Sequence, residues 1–478
     1  MHISIEPNAL YYGDCLEVME SFPSEYVDLI YLDPPFNSDE KYNTIFKGRH
    51  GLQNIEPQIK AFDDTWTWNE ASAQRVEEVK GAVANPASKV IQAFELFMPQ
   101  SKMLSYTSYM AQRLFEMRRV LKSTGSIYLH CDPTASHYLK LVMDAIFDED
   151  NFRNEIVWHY YNVASTSRNF LGRKHDTILF YAKSKEALFN WDDMREPYVP
   201  HSNWVKSSAS YGDSRYGPNE KGKLMHDVWA IPTINNMAKE RLGYPTQKPL
   251  ALLERVIKAS SNPDDIVLDP FCGCGTTIEA ARKLNRRAIG IDVLPFALRL
   301  INRYRLVPNG IKEMPMYGIP VDMTTATQLA KSDPYKFQDW AISLINGLAS
   351  NPTKTGDDGV DGFGMLLHKP DNMDRKGIVV QVTGASGSQR AKFDRLQTTI
   401  RHHNAAMGIL ITLDAQSASR NWKQDLEPIQ MGESAYQPIQ CFSVEEYFRN
   451  GEQVEGLLTL PPLTNPWTGK AMQQTLFD

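Results

Sequence analysis

Ile266-Val267-Leu268-Asp269-Pro270-Phe271-Cys272-Gly273-Cys274-Gly275-Thr276-Thr277-Ile278-Glu279-Ala280-Ala281-Arg282-Lys283-Leu284 decides the fold. A short apolar run comes first, a glycine turn follows, and a helix-like stretch closes the segment. Gly273 and Gly275 let the backbone approach a ligand more closely than side chains would allow, and the helix start beyond them offers free N–H groups. The next apolar run, Ala288-Ile289-Gly290-Ile291, ends at Asp292, where a βαβ unit sets a carboxylate on a ribose hydroxyl. A lone Gly-x-Gly is usually a plain turn. Strand, glycine turn, small-residue helix, strand and terminal acid together predict a site for a nucleoside cofactor.

A second strand end carries Asp33-Pro34-Pro35-Phe36, directly after the apolar run Val27-Asp28-Leu29-Ile30-Tyr31-Leu32. Proline fixes its own φ and pushes the preceding residue out of the helical region, so Asp33 and Pro34 should be extended and the loop stiff. A carboxylate and a fixed carbonyl can grip the two N–H bonds of a planar exocyclic amine, while Phe36 stacks on the base that carries it. By itself the tetrapeptide fits a plain turn after a strand equally well.

With both elements in hand, the chain resembles the amino-group DNA methyltransferases of the β class, in which the catalytic half precedes the cofactor half. Asp33, Pro34, Pro35 and Phe36 match the family's catalytic loop. Asp269, Pro270, Phe271, Gly273, Gly275 and Thr276 match its cofactor loop, and Asp292 its ribose-binding acid. Tyr12-Gly13-Asp14-Cys15 resembles the segment against the cofactor's adenine, with Asp14 as the contact; Tyr244 to Pro249 resembles the segment over its methionine end, with Thr246 and Lys248 as contacts. Gly125 to Asp132 and Asn151 to Trp158 look like later strand segments. The resemblance spans roughly residues 8 to 306, and several motifs in the family's order are far more specific than one.

The resemblance implies a mostly parallel, doubly wound α/β sheet, Rossmann-like and permuted, with both sites at the carboxyl ends of strands. It implies S-adenosyl-L-methionine as cofactor, double-stranded DNA as substrate, and a target base flipped out of the duplex for direct displacement at the methyl carbon. Adenine N6 is the expected acceptor, because members acting on cytosine N4 more often carry serine where this chain has Asp33; the N4 reading is the alternative. A second copy of the chain and a cognate restriction endonuclease are the candidate protein partners. Cys272 and Cys274 depart from the family pattern; a zinc site needs about four ligands from paired runs, which are lacking, so both are read as packing residues and no metal is expected.

Composition is consistent with this. The 478-residue chain allows two or three domains, 42% hydrophobic content allows a substantial core, and five cysteines without a disulfide-like spacing fit a reducing compartment. No run approaches membrane-spanning length, so a cytoplasmic, membrane-free protein is expected. A net charge of −6 excludes a chain that coats nucleic acid through bulk electrostatics. Local patches must then touch DNA: Arg113, Arg118, Arg119 and Lys122, which also read as an ordinary solvated helix face, or Arg168, Arg173 and Lys174, which are favoured.

The expected organisation is a methyltransferase domain over 1–306, a linker over 307–330 and a second domain over 331–478. Within the first, 37–105 reads as an insertion and 185–243, rich in Ser, Asn, Gly, Tyr and Trp, as a target-recognition region suited to base edges and stacking. The tail resembles the restriction-endonuclease-like fold, with Asp361 and Gln381 at metal-ligand positions but Thr383 in place of the activating lysine. Without that ammonium the module is expected not to cut. A bifunctional protein with an active metal-dependent nuclease is the alternative.

Overall fold

A computed structural model describes residues 5–35, 66–161, 171–197, 221–235, 238–242, 244, 246–351, 359–367, 375–419, 421–431, 433–454, 457–461 and 463. Phe36, Arg168, the whole 37–65 segment, and Asn203, Trp204, Tyr211 and Gly212 of the expected recognition region lie outside them.

Among the described residues the larger sheet has nine strands: β1 (Ala9–Tyr12), β2 (Val27–Leu32), β3 (Leu121–Cys131), β4 (Phe152–His159), β5 (His175–Ala182), β6 (Val228–Ala230), β7 (Ile266–Asp269), β8 (Arg287–Asp292) and β9 (Met316–Tyr317). Their spatial order is β9-β1-β8-β7-β2-β3-β5-β4-β6. All neighbours are parallel except β5, which runs antiparallel to both β3 and β4. The register that matters joins β2 to β7, with Leu29 opposite Val267 and Ile30 opposite Leu268. Residues far apart in sequence therefore end side by side at the carboxyl rim, where open α/β sheets bind ligands.

Alternation along the strands feeds a core on each face. Ile30, Leu32, Ile127 and Leu129 pack with helices α4 (Lys102–Val120) and α5 (Ser136–Phe147). Leu29, Tyr31, Tyr128, Ile178 and Phe180 pack with α6 (Leu250–Ser260) and α7 (Thr276–Lys283) on the other. Part of the expected insertion is helical: α2 (Glu70–Gly81) and α3 (Ser88–Phe97) lay Val76, Val79, Ile91 and Phe94 onto the first core. In the stretch expected to recognise the target, Arg195–Glu196 pairs with Lys223–Leu224, and β6 extends the sheet edge.

The stretch expected as a linker is structured. Met316 and Tyr317 add to the sheet beside Leu10 and Tyr11, and α9 (Met323–Ser332) begins with a capping box from Asp322 and Thr325. Backbone pairing and a buried Ala326 tie this segment down, a cost in entropy that Pro/Gly punctuation does not reveal.

A second sheet, also α/β, has strands β10 (Leu348–Ser350), β11 (Gly362–Leu367), β12 (Arg375–Thr383), β13 (Met407–Thr412) and β14 (Ile439–Ser443) in sequential order. The first two junctions are antiparallel and the last two parallel. Helix α10 (Pro334–Ser343) supplies Phe337 and Trp340 to one face, and α11 (Arg390–His402) supplies Phe393, Leu396 and Ile400 to the other. The second unit touches the first where Arg299, on α8 (Pro295–Leu300), donates to the Tyr447 hydroxyl at 3.1 Å. Among the described residues no helix is long and apolar enough to cross a membrane.

Candidate functional site

The loop after β7 is shaped by its glycines. Gly273 has φ +47° and Gly275 φ +76°, both in the left-handed region. A Cβ on Gly275 would lie 2.5 Å from Ile301 Cγ1, and one on Gly273 would lie 3.3 Å from the Tyr244 ring. Tyr244 thus sits directly on this loop, and burial pushes its phenol well above the ordinary range. Thr276, at the start of α7, is buried; Thr246 is exposed in a turn.

Asp292, at the end of β8, ties the loop together. Its Oδ2 accepts the Gly273 N–H at 2.8 Å and its Oδ1 the Leu294 N–H at 2.9 Å. Burial raises its carboxyl to about 6, against the pull of those N–H groups. Asp269 accepts the Phe271 N–H at 3.1 Å, and burial raises it to about 7, with Asp33 and Asp292 adding to the rise. Each carboxylate oxygen has two lone pairs, so Asp292 can still accept from a ribose hydroxyl. The loop leaves its backbone bare of side chains at two positions and carries anionic oxygens beneath it, which fits a cationic nucleoside cofactor.

The loop is braced from behind by a residue the sequence did not mark. Arg305, buried in a π-helical turn (Ile301–Leu306), donates to the Cys274 carbonyl at 2.5 Å and to Glu279 Oε2 at 2.6 Å, and approaches Cys274 Sγ at 3.3 Å. Cys272 and Cys274 are both buried with free thiols.

Asp33 follows β2 immediately, on the rim next to this loop. Its Oδ2 holds Lys248 Nζ at 2.5 Å; its Oδ1 is buried and has no hydrogen-bond partner among the described residues. Pro34 is buried beside it. Lys248 therefore stands on the Asp33 carboxylate, whereas the resemblance implied a contact at the cofactor's methionine end. Asp14 is likewise engaged in the fold: it caps α1 (Cys15–Met19) by accepting the Leu16 N–H at 2.8 Å and pairs with Arg113.

That pairing corrects the reading of the basic helix. Arg113 is buried against Asp14 and over the Tyr109 ring, 3.3 Å from its centroid. Arg119 holds Glu116 and the carbonyls of Phe22 and Met19, and Lys122 holds Asp28. Arg113, Arg119 and Lys122 are thus held by the fold, whereas Arg118, on α4, is exposed and fits the solvated face. Arg173 is exposed, donating to Thr134 Oγ1 at 3.4 Å.

A polar chain behind Asp33 was also missed. Tyr31 Oη and His130 Nδ1 are 2.8 Å apart, and His130 Nε2 is 3.1 Å from Asp176 Oδ2. The signal was present: histidine at an inward position of the apolar run Ile127-Tyr128-Leu129-His130-Cys131 needs buried partners. In the second unit, Asp361 Oδ2 accepts the Val382 N–H at 2.6 Å, Gln381 is buried, and Thr383 ends β12. Lys392, from α11, donates to the Val382 carbonyl at 3.3 Å. No cluster of three or more His, Cys, Asp or Glu side chains suited to a metal occurs among the described residues.

A family model described as DNA methylase, of the N6/N4 type, matches residues 27–303. The chain is 27% identical to DNA adenine methyltransferase YhdJ of Escherichia coli over 60% of this chain and 79% of that protein. It is 31% identical to the type II methyltransferase M1.MboII of Moraxella bovis over 45% of this chain and 85% of that protein. Among solved structures, the cytosine-N4-specific PvuII DNA methyltransferase aligns with a TM-score of 0.40 at 16% identity, covering 65% of this chain and 90% of that one.

Proposed function

The chain belongs to the DNA methylase family, and on that premise we propose that it methylates the exocyclic N6 of adenine in double-stranded DNA, using S-adenosylmethionine. When bound, the cofactor supplies a methyl group already activated by its sulfonium charge. The protein's task is then to hold, orient and exclude. The Asp269 to Gly275 loop cradles the nucleoside portion, with Asp292 on the ribose and Tyr244 closing over the loop. Thr246 and Asp14 remain assigned to the two ends of the cofactor. The target base leaves the duplex, because an amine inside a base pair has no open line of approach. Asp33 and the Pro34 carbonyl each accept one N–H, turning the nitrogen lone pair towards the methyl carbon, and Phe36 stacks on the base.

One observation carries this reading: Asp33 Oδ1, at the rim beside the glycine loop, is buried and has no hydrogen-bond partner among the described residues. A buried acceptor left without a donor costs free energy, and an incoming amine N–H removes that cost. Asp33→Ala should lower methyl transfer from labelled cofactor by about 10²-fold or more while leaving cofactor binding intact. Nucleoside mass spectrometry of the modified DNA should show N6-methyladenine; N4-methylcytosine would transfer the assignment to cytosine, and full activity of the Ala variant would remove Asp33 from the mechanism.

We further propose that the second unit is a restriction-endonuclease-like module that does not cut and helps to bind DNA or to arrange subunits. Thr383 stands where an activating ammonium is needed, and the Lys392 ammonium points to a backbone carbonyl.

A further inference from the structure

Tyr31 and Asp33 are two residues apart and face the same side of the sheet, as do Tyr128 and His130 on β3 and Asp176, Ile178 and Phe180 on β5. That side is covered by α6, and Lys248 lies just ahead of its first turn. The fold thus collects two carboxylates, one histidine, two phenols and one ammonium beneath the catalytic loop. His130 is fully buried with the Trp158 ring edge-on at 5.5 Å. Burial holds the Tyr31 phenol well above the ordinary range, so it stays protonated 2.8 Å from His130 Nδ1, while His130 Nε2 lies 3.1 Å from Asp176 Oδ2. Tyr160 donates to the other Asp176 oxygen at 3.3 Å. Burial raises the Asp176 carboxyl, but the His130 bond and charge, the Lys248 charge and the Tyr160 bond outweigh it, so it lies below the ordinary range.

Lys248 sits on Asp33 Oδ2, the oxygen next to the one an amine would reach. An ammonium left there competes for the carboxylate and repels the positive charge that develops on the attacking nitrogen. We propose that Asp176, oriented by His130 and Tyr160, is a positioning residue that draws the Lys248 ammonium away from Asp33 when the target base enters. The proposal rests on Asp33 being the amine-gripping carboxylate. Asp176 touches neither base nor cofactor and acts through Lys248.

A double-mutant cycle on the full chain tests it, with kcat and KM read from transfer of labelled methyl to DNA. Asp176→Asn should lower kcat about tenfold or more, leave KM for the cofactor unchanged, and be partly rescued by Asp176→Glu. In a Lys248→Met background the same substitution should change kcat by less than about threefold, because no ammonium remains to be drawn away. Equal losses in both backgrounds, or wild-type kcat in Asp176→Asn, would overturn the proposal. Should that variant not fold, Tyr160→Phe removes one donor to the same carboxylate and must show the same dependence on Lys248. An Asp33→Ala variant that stays active refutes the underlying reading separately, since it leaves the cycle itself measurable.

Discussion

Replacing Gly275 with alanine puts a number on the glycine loop. At φ +76° an L side chain pays the left-handed penalty, about 1–2 kcal/mol. The new Cβ would also meet Ile301, at 2.5 Å from Cγ1, 2.9 Å from Cδ1 and 3.0 Å from Cγ2, and overpacking of this kind costs about 1–3 kcal/mol. Gly275→Ala should therefore destabilise the protein by about 2–5 kcal/mol, measured by urea unfolding followed through fluorescence. Gly310 provides the control: its φ is +72° and a Cβ there meets nothing within 4 Å, so Gly310→Ala should cost the backbone share alone, about 1–2 kcal/mol. Trimming the obstacle should relieve the steric share, so Gly275→Ala combined with Ile301→Ala should fall short of additivity by about 1–3 kcal/mol. Equal costs at positions 275 and 310, with the double variant additive, would refute the claim that the π-helical turn presses on the loop.

The raised acids set a pH dependence. Asp269 at about 7 and Asp292 at about 6 lie above their unfolded value of roughly 3.9, so the folded state holds more protons between them and stability falls as pH rises from about 4 to about 7. Asp269→Asn should flatten that slope in melts across the range, and wild-type protein should bind the cationic cofactor more tightly with rising pH, releasing protons detectable by calorimetry in buffers of different ionisation enthalpy. An unchanged slope in the Asn variant would remove Asp269 from this account. For the second unit, plasmid incubated with magnesium or manganese should stay supercoiled; nicking that disappears in Asp361→Ala would establish a nuclease.

Much of the site was legible because it is local. Prolines after Asp33 and glycines after Asp269 act on their own φ angles and those of immediate neighbours, so the loops they form are written in a few adjacent residues. Residues that work through partners were not. Lys248 and Asp33 are 215 positions apart, and Arg113 and Asp14 are 99 apart, so no spacing rule connects them. Lys248 was placed by motif resemblance on the cofactor, and the fold puts its ammonium on a carboxylate. Arg113 and Arg119 matched an exposed basic face because helical periodicity gives which residues share a side, without giving what that side meets.

The amino-acid sequence by itself determined two strand-ending loops, their order along the chain and the chemistry of their side chains, because backbone torsion and alternation are short-range properties. Only the tertiary structure decided that β2 and β7 lie next to each other, that Lys248 bridges towards Asp33, and that His130 and Asp176 lie beneath them. Those outcomes depend on which apolar faces bury one another, and each buried charge then takes whatever partner the packing brings within reach.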